Sequence, residues 1–368
     1  MRAIGISLLA VAAALTIVGC TLRQSSAEAP SVQAGSTSSP LPLEGSCKSP
    51  DVPPADLARK PGYRQFDVSV TNSIGWPVSG LTQQDFVLHA GSRTFPVTYF
   101  REHKDDEPVA IALVVDTSGS MAWKLPIARQ SLRGFVENLN RCDEVSVFAF
   151  NRQVFLLQPF TTDHQMAAER MEFNARGPNA IYDATNTALR SLERADYPNR
   201  KLVLVADGLD DSSATSEREV VARATKDGIP IYAIGIGDPN APKRPGIPWG
   251  QSYGYSGAPV VVGPPNIGMR TLAMPPIGPA RPGTDRVDAK SLEDLSAAAS
   301  GRSFIVPSRG EEEGRSFETA IFAIADNIAK GYTIGAVVPD DATPPTVKVT
   351  VAKRLDLDVQ TRPLAPSP

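Results

Sequence analysis

Val109-Ala110-Ile111-Ala112-Leu113-Val114-Val115-Asp116-Thr117-Ser118-Gly119-Ser120-Met121 decides how this chain is read. Seven apolar residues run without alternation, as in a strand buried on both faces of a parallel sheet. The run ends abruptly in Asp-Thr-Ser-Gly-Ser, where Gly119 permits a sharp turn. Asp116, Ser118 and Ser120 thus set one carboxylate and two hydroxyls at the strand's C-terminal end, the edge at which open parallel sheets bind their ligands. Small oxygen donors without thiol or imidazole suit a hard cation: Mg²⁺ first, with Mn²⁺ and Ca²⁺ as alternatives. Asp, Ser and Gly are also ordinary turn residues after a strand.

A second run, Lys201-Leu202-Val203-Leu204-Val205-Ala206, ends in Asp207-Gly208. If the two strands are parallel neighbours, Asp207 arrives beside Asp116 and the hydroxyls. Around them the chain alternates: a helix after Pro126, a strand at Glu144–Phe150 with an antiparallel partner from Val154, helices near 163–173, 181–195 and 216–226, and a strand at 229–236. That order predicts an α/β domain with a doubly wound, mostly parallel sheet. Neither Gly-x-Gly-x-x-Gly nor a Gly-Lys-Ser/Thr phosphate loop follows the first strand, so no nucleotide is expected. A formal net charge of −3 likewise argues against a nucleic-acid binder.

The Asp-x-Ser-x-Ser pattern with a later strand-end Asp resembles the metal-ion-dependent adhesion site of von Willebrand factor A (VWFA) domains. The resemblance implies a Rossmann-like fold and a divalent cation held by Asp116, Ser118, Ser120, residue 179 and Asp207. It also implies a carboxylate of a partner protein as the ligand. Arg176-Gly177-Pro178-Asn179-Ala180-Ile181-Tyr182-Asp183-Ala184 resembles the family's Gly-Gly-Thr-Ala-Leu-Tyr-Asp-Ala stretch, with Asn179 where the ligating Thr stands. An amide oxygen can ligate Mg²⁺ or Ca²⁺; Asn179 can equally form only a turn and weaken the site. Asp183 is expected in the first turn of the next helix, stabilising its positive end.

At the N-terminus, Arg2 and an apolar run to Val18 read as an export signal. Gly19-Cys20 at its end resembles a bacterial lipobox, which implies cleavage before Cys20, lipid on its thiol and a place in the cell envelope, facing the periplasm or the exterior. Residues 21–62 are Ser-, Gln- and Pro-rich, a tether. With Cys20 lipidated, Cys47 and Cys142 are the thiols left. Export permits a disulfide between them, while Cys142 alone also reads as a small buried apolar residue.

Residues 63–104 alternate as short strands: Phe66–Thr71, a segment reaching Phe86–Leu88, and Phe95–Phe100. The α/β domain is expected over 108–338, with 237–285 a Pro/Gly-rich insertion and 339–368 C-terminal strands and tail. Ser291 is read as a helix cap and Gly301 as that helix's stop. A helix is expected over 311–330, and 331–338 with 346–351 as paired strands. From about 63 to 362, apart from the insertion, this order resembles bacterial VWFA-related proteins of the type described from Acidobacteria. The N- and C-terminal strands are expected to join in one small accessory β domain.

Three His, at 89, 103 and 164, are neither near the motif nor spaced as ligands, and no catalytic constellation assembles. The reading is therefore a non-enzymatic, lipid-anchored binding module. Its alternative is a metal-independent envelope scaffold with a vestigial site. A metal-dependent hydrolase ranks below both.

Overall fold

A computed structural model describes Cys47 and residues 51–104, 107–241, 285–297, 300–308, 313–338, 347–352 and 354–364. Cys20, the signal, most of the tether and 242–284 of the insertion lie outside the described residues.

A short helix α1 (Ala55–Ala58) precedes strands β1 (Tyr63–Thr71), β2 (Phe86–Ala90), β3 (Arg93–Phe95) and β4 (Tyr99–Glu102). The α/β part follows as β5 (Ala110–Asp116), α2 (Leu125–Glu137), β6 (Glu144–Phe150), β7 (Val154–Thr161), α3 (His164–Glu169) and α4 (Ile181–Leu192). It continues through β8 (Arg200–Ala206), α5 (Glu217–Asp227), β9 (Ile231–Ile236), α6 (Ala289–Ala297), β10 (Arg302–Val306) and α7 (Glu313–Ala329). The strands β11 (Tyr332–Val337), β12 (Val347–Val351) and β13 (Asp358–Pro363) end the order.

The central sheet has the order β10-β9-β8-β5-β6-β7, parallel except for β7, which runs antiparallel to β6. β5 sits inside it, every residue buried, which explains its unbroken apolar run. Ile111, Leu113 and Val115 face one core with Leu132 of α2 and Phe317, Ile321 and Ile324 of α7. Ala110, Ala112 and Val114 face a second with Ile181 and Leu189 of α4 and Leu292 of α6. Two apolar faces covered by helices are what keep a parallel sheet dry.

The flanking strands build two antiparallel sheets. One has the order β13-β1-β11-β4, the other β12-β2-β3. Their shared core contains Phe66, Val68, Leu88, Ile334, Val349 and Val351, residues from both ends of the chain.

β11 and β12 are not a pair: β11 lies between β1 and β4, and β12 hydrogen-bonds to β2. β11, grouped by sequence with the α/β domain, thus joins an accessory sheet. The expected strand Phe95–Phe100 is two strands, broken where Pro96 has no N–H to give. Ser291 lies inside α6 rather than capping it; Asp288 accepts from the Ser291 N–H at 3.3 Å, and the Ser291 hydroxyl meets that of Tyr182 at 3.0 Å. The left-handed residue after α6 is Ser300, φ 61°, while Gly301 lies so close to the Ile231 carbonyl that a Cβ would sit 1.9 Å from its oxygen.

Cys47 and Cys142 form a disulfide. Cys142 lies two residues before β6, so the bond sits at the N-terminal edge of the parallel sheet, opposite the edge carrying Asp116.

Candidate functional site

The site forms where β5 and β8, hydrogen-bonded parallel neighbours, run out together. Asp116 ends β5 and Asp207 follows β8; both are fully buried at 0% exposure. The turn after β5 is fixed locally: Asp116 Oδ1 accepts from the Ser118 N–H at 2.7 Å. The Thr117 N–H and hydroxyl both donate to the Phe150 carbonyl, at 2.6 and 2.8 Å. Ser118 and Ser120 hydroxyls lie 3.1 Å apart.

A second loop closes over the first, with the Gly119 N–H donating to the Gly177 carbonyl at 2.9 Å. That loop delivers Asn179, which is buried, and whose side-chain amide donates to Asp116 Oδ2 at 2.6 Å and to Asp207 Oδ1 at 3.3 Å. The third loop, after β8, binds the back of Asn179: N–H groups of Asp211 and Ser212 donate to its carbonyl at 2.9 and 3.0 Å. Gly208 enables this turn. Its φ is +75°, and a Cβ there would lie 2.5 Å from the Asp288 carbonyl oxygen.

The five residues singled out by sequence, Asp116, Ser118, Ser120, Asn179 and Asp207, therefore converge on one sheet edge. Asp183 stands in the first turn of α4, and its carboxylate accepts from the Ala214 and Thr215 N–H groups at 2.9 and 2.8 Å. Burial opposes its charge, but the Thr215 and Ala214 donors hold its pKa below the ordinary value. It braces the loop after β8. The three His are engaged in structure, His89 with Thr350, His103 with Thr333 and His164 with the Asp143 carbonyl.

Lys124 was not singled out by sequence. Its side chain has 0% exposure, its ammonium donates to the Ile236 carbonyl at 2.7 Å, and Nζ stands 4.0 Å from Asp207 Oδ2. The signal available was a lone cation four residues past the motif, at the mouth of α2. Its approach to Asp207 depends on β9 ending beside β8, which spacing does not state.

Electrostatically the site is short of positive charge. Burial pushes Asp116 up to about 8, with the neighbouring Asp207 carboxylate adding to the rise and the Ser118 donors opposing it. Asp207 is also raised by burial, against the pull of Lys124 and the Ser120 hydroxyl. Asp207 Oδ2 and Asn179 Oδ1 are buried and accept no hydrogen bond. Such groups are costly unless something binds them. Among the described residues no three His, Cys, Asp or Glu side chains converge as metal ligands. The donor set is instead two carboxylates, two hydroxyls and an amide, all oxygen, which fits a hard divalent ion. Asn179 could contribute Oδ1 only with its amide turned over, because its NH₂ now faces the carboxylates.

Crossover strands, helices on both faces and a mostly parallel central sheet define a doubly wound α/β domain. The chain carries a von Willebrand factor type A domain: residues 110–245 match that family. An uncharacterized protein of Borreliella burgdorferi is 25% identical over 138 residues, covering 34% of this chain; the chain spans only 40% of that relative. Among solved structures, BatB from Bacteroides thetaiotaomicron is 18% identical, with a TM-score of 0.39 over 59% of this chain and 98% of that one. The vWF domain of the pili tip protein Mfa5 from Porphyromonas gingivalis is 9% identical, with a TM-score of 0.38 over 59% and 95%.

Proposed function

We propose that this protein is a lipid-anchored, extracytoplasmic binding module whose VWA domain uses a divalent cation to grip a carboxylate of a partner protein. Asp116, Ser118, Ser120, Asn179 and Asp207 would hold the ion, Mg²⁺ by preference, directly or through water. The ion would offset the repulsion between an acidic site and an acidic ligand. The observation that carries this reading is the pairing of two fully buried carboxylates from separate strands, with Asp207 Oδ2 accepting no hydrogen bond. A fold has little reason to bury such a pair unless a cation answers it.

The Cys47–Cys142 disulfide supports export, since such bonds persist in oxidising compartments. Lipid on Cys20 would tether the domain to a membrane; no helix among the described residues is long and apolar enough to cross one. Binding rather than catalysis is favoured because His89, His103 and His164 are committed to structural bonds away from the carboxylates. The test is partner capture from envelope extracts with Mg²⁺ against EDTA, for wild type and Asp116→Ala. Capture that survives both chelation and the substitution refutes the reading.

A metal-independent scaffold is the second reading, favoured by the Asn179 amide that already bridges both carboxylates and by the Lys124 ammonium beside Asp207.

A further inference from the structure

We infer that Lys124 is a built-in cation that competes with the divalent ion for Asp207, so that it stabilises the metal-free site and sets the affinity of the loaded one. This rests on the metal-dependent reading and adds a residue outside the ligand set. The inference stands on placement. Lys124 lies just before α2, yet its ammonium is carried to the far side of the site, where the Ile236 carbonyl fixes it at 2.7 Å. Nζ is 4.0 Å from Asp207 Oδ2, the oxygen that accepts no hydrogen bond. Burial lowers the pKa of Lys124, and the Asp207, Asp285 and Asp116 carboxyl groups oppose that fall and favour the ammonium.

With 0% of its side chain exposed, Lys124 has no solvated position to swing into when an ion arrives. A dication between Asp116 and Asp207 would therefore sit beside a fixed positive charge, and repulsion at such a distance is strong in a dry site. Without the ion, the same ammonium stands beside Asp207, and the Asn179 NH₂ satisfies one oxygen on each of the two acids. The site is thus preassembled without metal and binds it at reduced strength, which suits an ion that exchanges with its surroundings.

The test measures Mn²⁺ binding to the purified protein by titration calorimetry, and melting temperature without metal, for wild type, Lys124→Met and Lys124→Arg. Removing the charge lowers the Mn²⁺ dissociation constant on the order of tenfold or more. Lys124→Met also melts lower than wild type when metal-free, and Lys124→Arg, which keeps the charge, stays near wild type in Mn²⁺ affinity. If Lys124→Met does not fold, Lys124→Gln carries the same comparison. Equal Mn²⁺ affinity in wild type and the uncharged variants overturns the inference and leaves the metal-dependent reading standing. Binding by the uncharged variants alone keeps the inference and refutes that reading for the native site. Binding by neither refutes both.

Discussion

Asp67→Asn tests how the accessory sheets are fastened to the VWA domain. Asp67 lies on β1, and its carboxylate pairs with Lys201 at the start of β8 (3.5 Å), with Arg362 on β13, and faces His103 at 3.7 Å. The side chains of Asp67, Lys201 and Arg362 are 14%, 5% and 12% exposed, so this is an interior cluster. Burial alone would raise the Asp67 pKa, but Lys201, Arg362 and His103 hold it well below the carboxylate range. His103 is itself pushed down to about 4, chiefly by burial, so it is neutral at pH 7. One carboxylate therefore answers two buried cations. Asn keeps the shape and deletes the charge, leaving Lys201 and Arg362 uncompensated, a loss of about 3–5 kcal/mol for a broken buried pair. For a domain of this size that is a fall in Tm of about 6–20 °C. Because the folded pKa is depressed, this stabilisation is present at neutral pH and is lost only as pH falls below about 4. Guanidinium unfolding at pH 7 reads the change, and adding Lys201→Met to Asp67→Asn should recover part of it. A loss under about 1 kcal/mol, or no recovery in the double variant, would refute the idea that the cluster holds the two parts together.

Other outcomes follow from the same geometry. Cys47→Ser with Cys142→Ser releases a link spanning 95 residues and should cost about 2–4 kcal/mol in denaturant unfolding, with wild type in reductant matching the variant. Deleting 63–104 removes the partners of β11, β12 and β13, so the remainder should aggregate or show lost protection of those strands in hydrogen exchange; unchanged stability sinks this. Asp116, raised to about 8, must lose its proton to hold an ion. Its raised pKa stabilises the metal-free fold below about pH 4, and that contribution fades as pH rises through about 8. Apparent Mg²⁺ affinity by calorimetry should accordingly strengthen about tenfold between pH 6 and 7; a flat profile contradicts it.

Much of the fold was legible because β5, β8 and β9 are buried on both sides and so show as unbroken apolar runs. Their shared direction then carried Asp116 and Asp207 to one edge. What sequence could not supply was long-range. Residues 331–338 and 346–351 look like a local pair, yet each is claimed by a strand from the other end of the chain. Asp288 and Ser291 are both good capping types three residues apart, and only packing against Tyr182 decides that Ser291 goes inside. Export allowed the Cys47–Cys142 bond without requiring it. Lys124 reads as one more surface cation until the Ile236 carbonyl is placed beside it.

Thermal unfolding of the metal-stripped protein against added Mg²⁺, Mn²⁺ and Ca²⁺, with Asp116→Ala alongside, reads cation binding at this site. An ion that binds only the folded state adds about 2.7 kcal/mol at a hundredfold excess over its dissociation constant. Wild type should rise in Tm and Asp116→Ala should not. No rise with any of the three ions, or an equal rise in the variant, would contradict cation binding at this site.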